Sequence, residues 1–266
     1  MPARTITKPT HKPVTKRPVA RRGQHPPKRQ PTKPLAPPTI AVVLDETGSM
    51  LVVKAATISS YNEYVRNLRA DKNNAGSRFA LTRFNTARTA TEGPVDLGVA
   101  PLLTDASYQP ASMTDLYDAI GKTIMRLDAE APSGPVIVVI LTDGEENSSK
   151  EYTREAIQKL ITEREATGRW TFVYLGANQN AWQVGAAIGV KGGNAMTYAG
   201  TALGTMVAMR SAAAATSGIT GTYHRSRGTV TGSATAFGDA GIDKCLGCGG
   251  KLILGQLHVC YSGSAR

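Results

Sequence analysis

Cysteine is scarce in this chain of 266 residues: there are three, and all fall between positions 245 and 260. A disulfide framework running through the whole protein is thereby excluded. Long apolar runs are missing as well. None approaches the ~20 residues of a membrane-crossing helix, and no short apolar segment opens the chain as a secretory leader would. The expectation is a protein without membrane contact, cytoplasmic or associated with a virion. Histidine occurs only at His11, His25, His224 and His258, and a phosphate-cradling GxxxxGK(S/T) loop is absent. Residues 1–38 contain no Asp, no Glu and no aromatic side chain.

That last absence locates the charge. Ten of the 31 Lys and Arg lie in residues 1–38, so the net charge of +11 belongs almost entirely to this arm and the remainder is nearly neutral. Ten of the fifteen prolines stand there too, including Pro26-Pro27 and Pro37-Pro38. Proline removes backbone donors, and too few apolar residues are present to build a core, so the arm is expected to be disordered. It is either a solvated tail or a binder of anionic surfaces, most simply nucleic acid, acting by counterion release. Without aromatics it offers no stacking platform for bases.

From residue 39 the pattern changes. Thr39–Leu44, Val136–Leu141 and Trp170–Leu175 are continuous apolar runs of strand length, the signature of strands covered on both faces. Phe79–Phe84 adds an alternating strand and Ala87–Gly93 a weaker one. Helical periods lie between them: Met50 to Leu68, Leu116 to Leu127, and Ile157 to Arg164 after a Ser148…Glu151 capping box. The alternation predicts an α/β domain over residues 39–217, with an open, mostly parallel, doubly wound sheet. Its last helix is expected within the Ala/Met-rich segment from Asn194 to Ala215, with Trp182, Met196 and Met206 packed in the core. The Gly/Thr/Ser-rich residues 218–244 read as a flexible linker.

The segment VVLDETGSM, residues 42–50, carries the chemistry. An apolar strand stops on Asp45, and Thr47 and Ser49 follow at alternate positions. Asp143 stands in the same relation to the strand VIVVILT. Two carboxylates at one edge of a parallel sheet repel each other unless a cation lies between them. Oxygen donors without His or Cys suit a hard ion, Mg²⁺, Mn²⁺ or Ca²⁺. DETGS resembles the DxSxS motif of von Willebrand factor A (vWA) domains, with Thr at the middle hydroxyl. Thr114 in MTDLYDAI and Asp143 in LTDG resemble the two later elements of the metal-ion-dependent adhesion site (MIDAS) of that family. The resemblance covers roughly residues 39–200. It implies an ion held by Asp45, Thr47, Ser49, Thr114 and Asp143, with one open position that accepts an Asp or Glu of a protein partner. FVYLGANQNAWQVGAAIGV and NAMTYAGT, further on, are similar to stand-alone A-domain proteins of bacteria and their phages.

No nucleophile with a neighbouring base is visible, and Thr47 stands where an aspartyl-phosphate enzyme needs a second Asp. The expectation is therefore a binding module and not an enzyme. Cys245, Cys248, His258 and Cys260, spaced C-x2-C and H-x-C, suit a structural Zn²⁺ in a small ribbon or knuckle over residues 245–266. A disulfide between two of the cysteines, or unrelated thiols, are the other readings. The rival function is a nucleic-acid-associated or assembly protein that binds through the basic arm and the zinc element.

Overall fold

The computed structural model of the protein describes residues 35–130, 133–226 and 236–237. In chain order the elements are β1 (Thr39–Asp45), α1 (Lys54–Ala70), β2 (Arg78–Asn85), β3 (Arg88–Asp96), α2 (Leu116–Ala129), β4 (Val136–Thr142), α3 (Arg154–Ala166), β5 (Trp170–Ala177), α4 (Ala181–Ala187), β6 (Ala195–Tyr198) and α5 (Ala202–Arg225). The strands form one sheet in the order β3-β2-β1-β4-β5-β6. Only β3 runs antiparallel, joined to β2 by a tight turn in which Asn85 Oδ1 accepts the amides of Ala87 and Arg88 at 3.0 and 2.9 Å.

Strand alternation sorts the core into two layers. On β1, Ile40, Val42 and Leu44 pack toward Tyr61, Tyr64 and Leu68 of α1 and toward Met209 and Ala212 of α5. Ala41 and Val43 face the opposite way, toward Ile120 and Ile124 of α2 and Ile157 and Ile161 of α3. β4 repeats the division, with Val139 and Leu141 in the first layer and Val138 and Ile140 in the second. This is why β1 and β4 read as unbroken apolar runs: both faces of each are covered.

α5 is built largely of small residues and lies against α1, where hydroxyls hold it. Thr216 Oγ1 is 3.2 Å from Tyr64 Oη, and Thr220 donates to Asn74 Oδ1 at 2.7 Å. Near its last turn, Tyr223 Oη donates to the Ala36 carbonyl at 2.9 Å. Among the described residues no helix is long and apolar enough to cross a membrane.

Several expectations are corrected. The segment that begins at Asn194 is not helical throughout: Ala195–Tyr198 pairs in parallel with β5, and four residues are too few to show a strand period. α5 continues to Arg225, so the stretch expected as a linker from residue 218 begins inside a helix. Helix α3 starts at Arg154 behind Thr153, whose hydroxyl accepts the Ala156 amide at 3.2 Å. Ser148 and Glu151 are not its capping box. The Asp118 carboxylate takes the amides of Lys150, Glu151 and Tyr152 and holds that segment out of the helix. Trp182 lies outside the core at 56% exposure, over Gly192, while Met196 is partly buried against the first layer. The basic arm, apart from its last four residues, lies outside the described residues.

Ile140→Ala removes a side chain buried in the second layer, and should lower stability by about 2–5 kcal/mol in urea denaturation. Val99→Ala, on a largely exposed turn, should stay within about 0.5 kcal/mol of wild type in the same experiment.

Candidate metal centre

The chain passes from β1 outward to β2 and β3, then returns to place β4 on the other side of β1. The strand order therefore reverses between β1 and β4, and the carboxyl ends of those two strands are where an open α/β sheet gathers ligands. Asp45 ends β1, and Thr142 and Asp143 end β4. The register Leu44↔Leu141 sets them side by side.

Asp45 is fully buried. Its Oδ1 accepts the Thr47 amide at 2.8 Å, which turns the backbone sharply after the strand. Its Oδ2 accepts the Thr142 hydroxyl at 2.6 Å. Ser49, exposed on the following turn, donates to Asp143 Oδ1 at 2.6 Å and lies 3.1 Å from Thr47 Oγ1. Thr114 enters from the loop before α2. A Cβ built on Gly144 would fall 2.9 Å from Thr114 Oγ1 and 3.9 Å from Asp45 Oδ2, so a glycine there keeps the space between these oxygens open. All five residues named from the sequence thus stand at this one strand edge.

Their positions are fixed by contacts the sequence reading did not assign. Gly48 donates to the Ser112 carbonyl at 3.1 Å and Ala111 to the Glu46 carbonyl at 2.9 Å, tying the Asp45 loop to the Thr114 loop. Tyr108 Oη donates to the Asp45 carbonyl at 2.6 Å. Asn147 Oδ1 accepts the Thr114 amide at 3.0 Å, and the Thr114 carbonyl accepts the amides of Asn147 and Ser148. Glu146 accepts the amides of Tyr117, Ser148 and Ser149, joining the first turn of α2 to the Asp143 loop. Thr142 stands within LTDG at the inward end of an apolar strand, one residue ahead of the aspartate, and that position is its signal in the sequence.

Burial pushes the Asp45 carboxyl up from 3.8 to about 6, with the charge of Asp143 adding to the rise and the hydrogen bonds from Thr142 and Thr47 opposing it. Burial raises Asp143 as well, against its hydrogen bond from Ser49. Among the described residues no Lys or Arg forms an ion pair with either carboxylate. No three His, Cys, Asp or Glu side chains gather at one point among those residues, so a cation here would rest on two carboxylates and three hydroxyls. That donor set fits a hard divalent ion: two acids whose charged forms are disfavoured by burial and lack a counter-charge among the described residues, with hydroxyls bonded to their carboxylates.

The chain resembles proximal thread matrix protein 1 of the mussel byssus with a TM-score of 0.53 and 13% identity, over 68% of this chain and 47% of that one. It resembles the pilus adhesin SpaC of Lactobacillus rhamnosus GG with the same score and identity, over 68% of this chain and 30% of that one. A vWF domain, that of the type V pili tip protein Mfa5 of Porphyromonas gingivalis, is matched at a TM-score of 0.47 and 10% identity. This chain spans less than half the length of the byssus and SpaC proteins. The fold is vWA-like. No protein-family model and no curated protein matches the sequence. Cys245, Cys248, His258 and Cys260 lie outside the described residues.

Because Asp45 titrates higher when folded than its ordinary 3.8, the metal-free fold is favoured below that value and loses stability as pH rises through about 6. The loss is on the order of 3 kcal/mol. In EDTA, the melting temperature should fall between pH 4.5 and 8 for the wild type. Asp45→Asn should flatten that dependence and melt higher than wild type at pH 8.

Proposed function

We propose that the protein is a divalent-cation-dependent interaction module. Asp45, Thr47, Ser49, Thr114 and Asp143 would hold Mg²⁺, Mn²⁺ or Ca²⁺, and a carboxylate of a protein partner would complete the site. The observation that carries this reading is the convergence of a buried acid, a partly buried acid and three hydroxyls at the strand reversal with no basic side chain paired to the acids among the described residues. When bound, the ion supplies positive charge at a place where the chain has collected only negative and neutral oxygen. The residues do the rest. Asp45, fixed by Thr47 and Thr142, provides charge from below, and Ser49 and Asp143 are linked across the mouth. The likeness to a pilus adhesin supports the fold of such a module.

The setting proposed with it is a bacterial cytoplasm or a virus particle, which rests on the sequence likeness of residues 172–201 alone. A nucleic-acid function for the basic arm and a Zn²⁺ for the cysteine cluster rest on composition and spacing in residues outside those described.

The test is Mn²⁺ binding followed by electron paramagnetic resonance. Wild type should bind one equivalent, and Asp45→Ala and Asp143→Ala should not, while circular dichroism stays unchanged. Thr142→Val should weaken the ion about tenfold, because it removes one of the two groups that orient Asp45 and leaves the five donors in place. Mn²⁺ binding that survives Asp45→Ala would sink the proposal. Host proteins captured in Mg²⁺ with nuclease present should be released by EDTA.

A further inference from the structure

The carboxyl edge of the sheet carries more than oxygen donors. α1, α3, α4 and α5 each follow a parallel strand and so begin at the edge where Asp45 ends β1, and the chain after antiparallel β3 returns to that edge before α2, where Gly48 and Ala111 tie it to the Asp45 loop. Large apolar side chains are exposed along this edge. Leu51 and Val52 follow Ser49 in the turn before α1, Met113 precedes Thr114, Trp182 opens α4 and Leu203 opens α5. All five are more than half exposed, Val52 to 90%. Leu51, Val52 and Met113 belong to the two loops that carry Thr47, Ser49 and Thr114, and the Gly48 to Ser112 hydrogen bond holds those loops together. Among the described residues Val99 is the one comparably exposed apolar side chain on a turn away from this edge, and none of the five is needed to fill the core.

We infer that this edge is a docking surface for a protein segment whose metal-binding Asp or Glu is flanked by apolar, uncharged side chains. The inference rests on the cation-dependent reading of the same site. Charge complementarity argues for this occupant. With an ion in place, the edge presents one positive point inside an apolar rim, and its complement is one carboxylate inside an apolar surround. A polar partner would leave Leu51, Val52 and Met113 against polar groups. An apolar partner without a carboxylate would cover the ion and leave its charge unmatched. Glu145, exposed on the Asp143 loop, adds a restriction. It repels a second acidic group beside the first, so the anion is admitted at the ion and disfavoured at its neighbours. The rim also acts on the ionic contact. A carboxylate meeting a hydrated cation in open solvent is heavily screened, whereas apolar groups closing around the contact exclude water and strengthen it.

The experiment selects a random peptide library on the immobilised full chain in Mn²⁺, and carries the enriched sequence into titrations as a synthetic peptide. Enriched peptides should hold Asp or Glu between apolar residues, and enrichment should vanish in EDTA and with Asp45→Ala. The double variant Val52→Ser/Met113→Ser should bind the peptide about tenfold more weakly, the scale expected for losing apolar contacts. Its Mn²⁺ affinity should remain that of wild type. Both positions are exposed, so the variant should fold, which melting temperature checks. Metal-dependent peptides with polar or charged flanks, or unchanged affinity in the double variant, would overturn the apolar rim and leave the ion reading intact. Enrichment that persists in EDTA and in Asp45→Ala would remove both. A chain that binds Mn²⁺ but enriches nothing would overturn the docking surface alone. So would sedimentation showing a wild-type dimer that the double variant dissociates, since the edge would then be covered by a second copy.

Discussion

Two acids share one strand edge of this protein, and most of what surrounds them follows from keeping them there. β1 and β4 are buried on both faces, so Asp45 is closed off from water while Asp143 stays partly exposed. Asp45 has no exposed surface, and the oxygens of its carboxylate are met by an amide and a hydroxyl and not by a guanidinium or an ammonium. A sequence selected only for stability would place an apolar or basic side chain at one of these positions. The acids persist at a site whose pairing costs folding free energy, which is the pattern of a binding site whose ligand restores the balance.

The surrounding loops answer the same constraint. Three segments distant in sequence must reach one point, and each is fastened to another by its backbone. Glu146, Asn147 and Asp118 do this with their side-chain oxygens, gathering amides from turns that lack regular hydrogen bonding of their own. These acceptors are therefore scaffold residues of the edge. They hold in place, largely through the backbone, the loops that bring Thr114 and Asp143 to the edge.

Much of this was legible in the sequence. The apolar runs gave the central strands, because a strand covered on both faces has nowhere to put a polar residue. That the five candidate residues meet at one edge was legible because each follows a strand end or precedes a helix, a place the α/β arrangement brings there. What escaped was governed by partners distant in the chain. Tyr108 and Asn147 acquire their roles only once distant loops meet at the edge, and nothing in their local spacing reveals it. β6 escaped because four residues cannot display a period. Trp182 was misplaced by its size: a large aromatic in an apolar segment reads as core, whereas the turn into α4 carries it to the surface.

The contact between Tyr223 and the Ala36 carbonyl has a mechanical meaning. It brings the beginning of β1 and the end of α5 together at the amino edge of the sheet, the edge opposite Asp45. A pull exerted between something held at the carboxyl edge and the flanking chain would run lengthwise along β1 and β4. The hydrogen bonds that join β1 to β2 and β4 lie across that direction and would be loaded together, in shear, instead of being opened one after another. The central strand is thus oriented to carry tension between the two edges with its whole ladder at once.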